Sequence, residues 1–185
     1  MRITLILMLF LSACSSSGSD EETNGDVNKT FFPIAGNINT ELKEIDSLPI
    51  AVIKYTTIGD KTDTALAEKS ELKNVSAMLT NPDISSPELK KYYKEAVFMD
   101  NTINTVTMSY TTQSDKPVVR KIEVMIHPET EKVKSIYVEK LEKSGDSAYN
   151  RKMVWTSGKS LQVVTIANLP GQAESIKTEK YSWEH

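Results

Sequence analysis

Apolar residues near position 40 recur at the spacing of an amphipathic helix. Ile34, Ile38, Leu42 and Ile45 are separated by four, four and three residues, which places them on one side of a helix. The spacing predicts a helix over residues 33–46. A second short helix is predicted from Ser70, as its N-cap, to the stop at Pro82. Residues 87–93 are expected to add one or two further helical turns.

Later in the chain, apolar and polar residues alternate, which is typical of strands with one buried face. Short turns separate these strands, so an antiparallel meander is expected. A hairpin of residues 50–58 and 61–67 comes before them. The later strands are predicted at residues 105–111, 121–126, 133–141, 148–155, 161–167 and 174–183. Helices early and strands late predict an α+β fold, with N-terminal helices packed on a curved antiparallel β-meander sheet.

The first fourteen residues have the pattern of a cleaved leader. Arg2 provides a positive charge, and an apolar run from Ile3 to Leu11 follows it. This run is far shorter than the roughly 20 residues that a membrane-spanning helix needs. The small residues Ser12 and Ala13 then precede Cys14, as expected before a cleavage site. Cys14 is the only cysteine of the chain.

The segment Leu11-Ser12-Ala13-Cys14 resembles the lipobox of bacterial lipoproteins. The resemblance implies cleavage between Ala13 and Cys14 and a thioether-linked diacylglycerol on Cys14. Several long acyl chains would hold the protein on a membrane, because each buried methylene contributes about 0.8 kcal/mol. Ser15, following the cysteine, implies sorting to the outer membrane. Whether the domain faces the periplasm or the outside is left open.

Composition divides the chain into three predicted regions: residues 1–13 as signal peptide, 14–30 as flexible tether and 31–185 as a single domain. Residues 15–26 contain no apolar side chain, and such segments cannot offset their ordering entropy by burial. The hydrophobic fraction of 39% suffices for a core, and the net charge of −3 gives no basic surface for nucleic acid. With Cys14 acylated, the domain would have no thiol for disulfides, catalysis or metal binding.

From about Phe31 onward the chain resembles a group of uncharacterised lipoproteins found in Bacteroidota. This resemblance would span most of the mature chain and carries no known activity. The matching stretches are residues 31–33, 42–49, 61–63, 98–101 and 152–155.

Motifs with known chemistry are incomplete in this sequence. Gly158-Lys159-Ser160 ends like a phosphate-binding loop, but Met153 occupies the position of the required first glycine, so a hairpin turn is expected. Ser70 and Lys73 match a Ser-x-x-Lys motif without its companion motifs. His127, before Pro128, is interpreted as a solvated turn residue. No catalytic residue, metal site or cofactor is predicted.

Three functions remain open from the sequence. The first is a non-enzymatic binding or assembly module with an envelope protein as partner. The second is a carrier of a lipid or other apolar ligand, which requires an apolar cleft in the sheet. The third is a hydrolase of envelope polymers, which requires convergent carboxylates or a histidine-backed nucleophile. Tyr181 and Trp183 share one face of the last strand and are expected to offer an exposed contact.

Overall fold

The computed structural model describes residues 30–183. Nine antiparallel strands form one sheet in the order β2-β1-β9-β8-β7-β6-β5-β4-β3. The helices are α1 (Ile34–Ser47), α2 (Lys69–Thr80) and α3 (Pro87–Lys90). The strands are β1 (Val52–Ile58), β2 (Lys61–Ala67), β3 (Tyr93–Asp100), β4 (Thr105–Thr112), β5 (Val119–Ile126), β6 (Val133–Ser144), β7 (Ser147–Thr156), β8 (Ser160–Asn168) and β9 (Ser175–Ser182).

The sheet is a meander from β3 to β9, extended at its β9 side by the N-terminal hairpin. β1 pairs with β9, and β2 pairs with β1 at the edge. Two-residue loops close the β1–β2 and β6–β7 hairpins, with Gly59 and Gly145 as their first residues. Each glycine has a φ of +57°, a conformation that is strained for residues with a Cβ.

One row of side chains crosses all nine strands and shows where the core lies. From one edge to the other the row is Val97, Met108, Val124, Ile136, Trp155, Leu161, Tyr181, Lys54 and Ala65. The members on β5 to β9 are buried, whereas Val97 on the β3 edge is 51% exposed. The core is therefore centred on the middle strands.

The helices add side chains to this core. Ile34, Ile38 and Ile45 of α1 are buried, as are Leu72 and Leu79 of α2, and they join the same apolar cluster as the sheet residues. The 3.6-residue spacing of the α1 isoleucines keeps them on one side of the helix. α2 ends just before Asn81-Pro82, because a proline disfavours the helical backbone conformation at the residue that precedes it.

The predicted α+β fold class is wrong. The structure is predominantly β, with a nine-stranded antiparallel sheet and only 19% helix in a few short helices. Two features account for the error. Residues 87–93 were expected to be helical, but α3 ends at Lys90 and the chain then enters β3. Hairpin β1–β2 also joins the meander beside β9, which completes one nine-stranded sheet.

Most individual elements are nevertheless where the residue pattern placed them. The α1 helix, the β1–β2 hairpin and the six predicted later strands all occur within a few residues of their expected bounds. Within residues 30–183, no helix is long and apolar enough to cross a membrane.

Candidate functional site

The side chain of Glu41 connects α1 to the turn between β7 and β8. Glu41 Oε2 accepts hydrogen bonds from Trp155 Nε1 at 3.1 Å and from the backbone N–H of Gly158 at 3.0 Å. Glu41 Oε1 accepts from Ser157 Oγ at 2.6 Å. Hydrogen bonds to a charged acceptor are stronger than neutral ones. The carboxylate therefore fixes the helix to the turn.

A cleft of about 420 Å³ lies beside this contact. Its lining residues are Phe32, Asn37, Glu41, Glu44, Glu131, Lys132, Val133 and Ser157. Asn37 Oδ1 is buried and has no hydrogen-bond partner among the described residues. The cleft thus offers polar groups on most of its wall, whereas a carrier of an apolar ligand needs an apolar lining.

A second, smaller cleft of about 190 Å³ lies where β5 begins and β6 ends. It is lined by Asp115, Lys116, Pro117, Val118, Arg120, Leu141 and Lys143. Arg120 Nη1 donates to the carbonyl oxygen of Ser114 at 2.5 Å, which ties the β4–β5 connection to β5. Four of the seven lining residues are charged, so this cleft does not form an apolar groove either.

A network of charged and polar side chains joins α2 to β1 and β9. Lys54 Nζ lies 2.7 Å from Glu71 Oε1 and 3.0 Å from Glu179 Oε1. Tyr181 Oη donates to Glu71 Oε1 at 2.9 Å. Lys177 Nζ also contacts Glu179 Oε1 at 3.0 Å. One carboxylate on α2 is therefore bound by partners from two neighbouring strands.

The pKa shifts in this network favour the charged forms of Lys54 and the carboxylates and the neutral form of Tyr181. The hydrogen bond from Lys54 lowers the pKa of Glu71, and the same contact raises the pKa of Lys54. Burial alone would raise the pKa of Glu179, but hydrogen bonds from Lys177 and Lys54 outweigh it and lower the pKa. Burial raises the pKa of Tyr181. None of these shifts brings a pKa close to 7, the range that a general acid or base needs at neutral pH.

Lys140 lies on the face of β6 that points into the core. It is only 3% exposed, and its Nζ donates to the carbonyl oxygen of Asn81, directly after α2. Burial lowers the pKa of Lys140 to about 8, because desolvation disfavours the ammonium form. The side chain holds the end of α2 against the sheet.

Tyr181 and Trp183 do not form the exposed contact that was expected, so that interpretation is wrong. Each is only 1% exposed. Trp183 packs against Trp155 with ring centroids 4.9 Å apart, and Tyr181 belongs to the network around Glu71. They share a face as predicted, but that face is the one covered by the helices.

The incomplete motifs occupy structural positions. Gly158 has a φ of +69° in the turn between β7 and β8, as expected for a hairpin turn. The N-cap of α2 is Glu68 and not Ser70, so the expected cap is wrong. His127 lies in the turn after β5, half-buried, and its Nδ1 has no hydrogen-bond partner in the described part of the chain. The expected solvated histidine is therefore only partly solvated.

The predicted leader, the lipobox Leu11 to Cys14 and the cleavage site at Ala13 and Cys14 lie outside the described residues. They stay predictions. In residues 30–183, no group of three or more His, Cys, Asp or Glu side chains is placed to hold a metal ion.

Glu41 was not singled out from the sequence, although a signal was present. It lies three residues after Ile38 and four before Ile45, so it shares the side of the helix that carries the apolar stripe. A carboxylate on the buried side of a helix needs donors, and here the β7–β8 turn supplies them.

The surface feature with the clearest capacity for a contact is the outer strand β3. Val97, Phe98 and Met99 are 51, 54 and 49% exposed, and Ile103 in the following turn is 59% exposed. We call these four residues the β3 patch. Exposed apolar residues that cluster on a protein surface are typical of interaction sites.

Comparison with known proteins adds no family. No protein-family model matches the chain. No curated protein and no solved structure matches it either.

Proposed function

We propose that this chain is a lipid-anchored lipoprotein of the bacterial cell envelope, sorted to the outer membrane, that serves as a non-enzymatic binding or assembly module. The observation that carries the proposal is the position of Cys14. The only cysteine of the chain directly follows Leu11-Ser12-Ala13 at the end of an apolar run, where cleavage and acylation require it.

The β3 patch supports the binding part of the proposal. It places apolar side chains on the open edge of a nine-stranded sheet, and edge strands can add a strand from a partner. The carboxylates of Glu41 and Glu71, by contrast, have structural roles, since Glu41 fixes α1 and Glu71 fixes α2. The module would thus act by contact and not by a reaction.

Metabolic labelling tests the anchor. The full chain is expressed in a bacterial host fed a fatty acid with a terminal alkyne, and acylation is read as a fluorescent band after coupling to an azide dye. We expect the native chain to be labelled and to sediment with membranes after a high-salt wash, which removes proteins held by charge alone.

Cys14→Ala is the decisive variant, and Ser16→Ala is the matched control. Cys14→Ala should lose the label and leave the membrane fraction, whereas Ser16→Ala should behave like the native chain. An unlabelled native protein whose N-terminus, by mass spectrometry, is not Cys14 would contradict the proposal.

A further inference from the structure

The outer strand β3 has apolar side chains on both of its faces. Val97 and Met99 point to the side of the sheet that carries the helices, in the same alternation as buried Tyr93, and Phe98 points to the other side. In the described chain β4 is the only strand that pairs with β3. Apolar residues on both faces are typical of interior strands, yet β3 is at an edge.

The opposite edge of the sheet is different. β2 reads Lys-Thr-Asp-Thr-Ala-Leu-Ala, and Leu66 is its one large apolar side chain. Charged and polar residues along an edge strand prevent unwanted pairing. The row of core residues that crosses the sheet thus ends in Lys54 and Ala65 at one edge but in exposed Val97 at the other. β3 also contains charged residues towards its ends, but its centre is a run of three apolar residues, Val97, Phe98 and Met99, each about half exposed.

We propose that the β3 patch docks a second copy of this chain, with the two β3 strands pairing antiparallel about a two-fold axis at Val97. This interface deepens the proposed function, since it names the partner of the binding module. A two-fold interface uses the same surface on both copies, so β3 must be complementary to itself.

Charge complementarity selects this register. With Val97 opposite its own counterpart, Lys94 lies opposite Asp100 of the second copy, and Ala96 lies opposite Phe98 of the second copy. Opposite charges that face each other across strands are stabilising, and large side chains pack well against small ones. Moving the axis by one residue in either direction places Lys94 opposite Phe98 or Ala96 opposite Asp100. Only the axis at Val97 places Lys94 of each copy opposite Asp100 of the other copy.

The same two-fold axis places both chain starts on one side of the joined sheets. Near β3 the first described residues pack on the helix side, where the ring of Phe31 contacts that of Tyr110 with centroids 4.6 Å apart and the Phe32 N–H donates to Tyr110 Oη at 3.0 Å. An axis perpendicular to the sheet keeps the helix sides of both copies on the same side. Two anchors at Cys14 could therefore insert in one membrane.

Disulfide cross-linking tests the interface in the full chain within cells. Val97→Cys should form a disulfide-linked dimer on mild oxidation, about tenfold more than the matched edge variant Leu66→Cys on β2, because residues on a two-fold axis come within disulfide distance. Lys94→Cys tests the register, since its two copies would be about 20 Å apart along the strands. It should cross-link no more than Leu66→Cys. A disulfide between two Cys14 residues would give the same amount of dimer in all three variants.

Charge variants test the pairing of Lys94 with Asp100. Lys94→Glu places like charges opposite each other twice per dimer and should weaken dimerisation of the detergent-solubilised full chain by about tenfold. Adding Asp100→Asn should recover most of that loss. Asparagine keeps an oxygen for the hydrogen bond that Asp100 Oδ1 accepts from the Thr102 N–H at 2.8 Å. Unchanged thermal unfolding of each variant would show that its fold is intact.

The outcomes separate this inference from the proposed anchor. A dimer specific to Val97→Cys without acylation would support the interface and contradict the anchor. Acylation with no excess of dimer over Leu66→Cys would overturn the interface alone. Equal cross-linking at positions 94 and 97, or an adduct of Val97→Cys with a different polypeptide, would also overturn it.

Discussion

At the scale of single residues, Glu41 shows how one carboxylate can fix a helix to a turn. It accepts from Trp155 Nε1, Ser157 Oγ and the Gly158 N–H, and Trp155 is fully buried. Removing an acceptor leaves its donors unsatisfied, which costs more than the hydrogen bonds contribute net. The contact is therefore sensitive to truncation in a way that its partly exposed position does not suggest.

Glu41→Ala should lower the free energy of unfolding by about 2–4 kcal/mol, because the indole N–H of Trp155 would lose its acceptor in the core. Urea unfolding followed by tryptophan fluorescence measures the change. Glu44→Ala is the control, because Glu44 lines the same cleft but is exposed, and it should change stability by less than about 0.5 kcal/mol. Equal effects of the two substitutions would show that the hydrogen bonds contribute little.

Lys140 makes stability depend on pH above neutrality. Its pKa is about 8 in the folded chain, against an ordinary value near 10.5, so between these values the unfolded chain binds more protons. Lys140 alone should therefore contribute a gain in stability of about 2 kcal/mol from pH 8 to pH 10. Lys140→Met removes the charge and should flatten this rise, which urea unfolding at several pH values would detect. A rise of the same size in the variant would contradict the prediction.

The native chain and the variant should be compared at each pH, and the measurement should stop at pH 10, because tyrosines act in the opposite direction near and above this pH. Burial raises the pKa values of Tyr93, Tyr110 and Tyr137 to about 12. Above pH 10 the unfolded chain loses these protons while the folded chain keeps them. Stability must then fall with pH.

At the scale of elements, the network around Glu71 holds α2 to strands that are distant in sequence. Lys54 belongs to β1 and Tyr181 to β9, and both contact Glu71 Oε1. Because Lys54 lowers the pKa of Glu71, the contribution of this carboxylate is present above its unfolded pKa and is lost as the pH falls.

Glu71→Gln should reduce the loss of stability between pH 5 and pH 3 by about 0.5–1 kcal/mol, a modest effect since the side chain is partly exposed. Thermal unfolding at pH 3, 4, 5 and 7 would measure it. Glu88→Gln in α3 alters an exposed carboxylate and serves as the control. If both variants lose stability in acid as the native chain does, the network has no role in acid unfolding.

The elements also show what the sequence could and could not predict. The strict alternation in β5 predicts a strand because Ile122, Val124 and Ile126 are buried on one of its faces. β3 was missed because Val97, Phe98 and Met99 are consecutive apolar residues at an edge, without the alternation that signals a half-buried strand. The pairing of β1 with β9 depends on contacts far apart in sequence, which local patterns do not encode. Local patterns also could not predict the acceptor role of Glu41, because its donors lie more than 100 residues later.

At the scale of the whole molecule, β9 connects the hairpin β1–β2 to the rest of the sheet. It lies between β1 and β8, and Trp183 directly after it packs on Trp155. The backbone N–H of Trp183 donates to the carbonyl oxygen of Lys159 at 3.0 Å. Loss of packing at this position should thus affect the N-terminal hairpin and the meander together.

Trp183→Ala should destabilise the fold by about 3–5 kcal/mol, the usual effect of removing a buried aromatic side chain. Circular dichroism and fluorescence of Trp155 should report one coincident transition during urea unfolding, as for a single cooperative unit. Ser182→Ala, on the other face of the strand, is the control and should have little effect. If Trp183→Ala leaves the free energy of unfolding nearly unchanged, or if unfolding shows two separate transitions, β9 does not have this role.

The position of β9 also has a consequence for synthesis. The ribosome releases the hairpin β1–β2 before β9, the strand that pairs with β1, because β9 follows β2 by more than 100 residues. Pairings between distant segments form slowly, because a large loop must first be closed. The sheet therefore cannot be completed until β9 has been translated, more than 100 residues after β2.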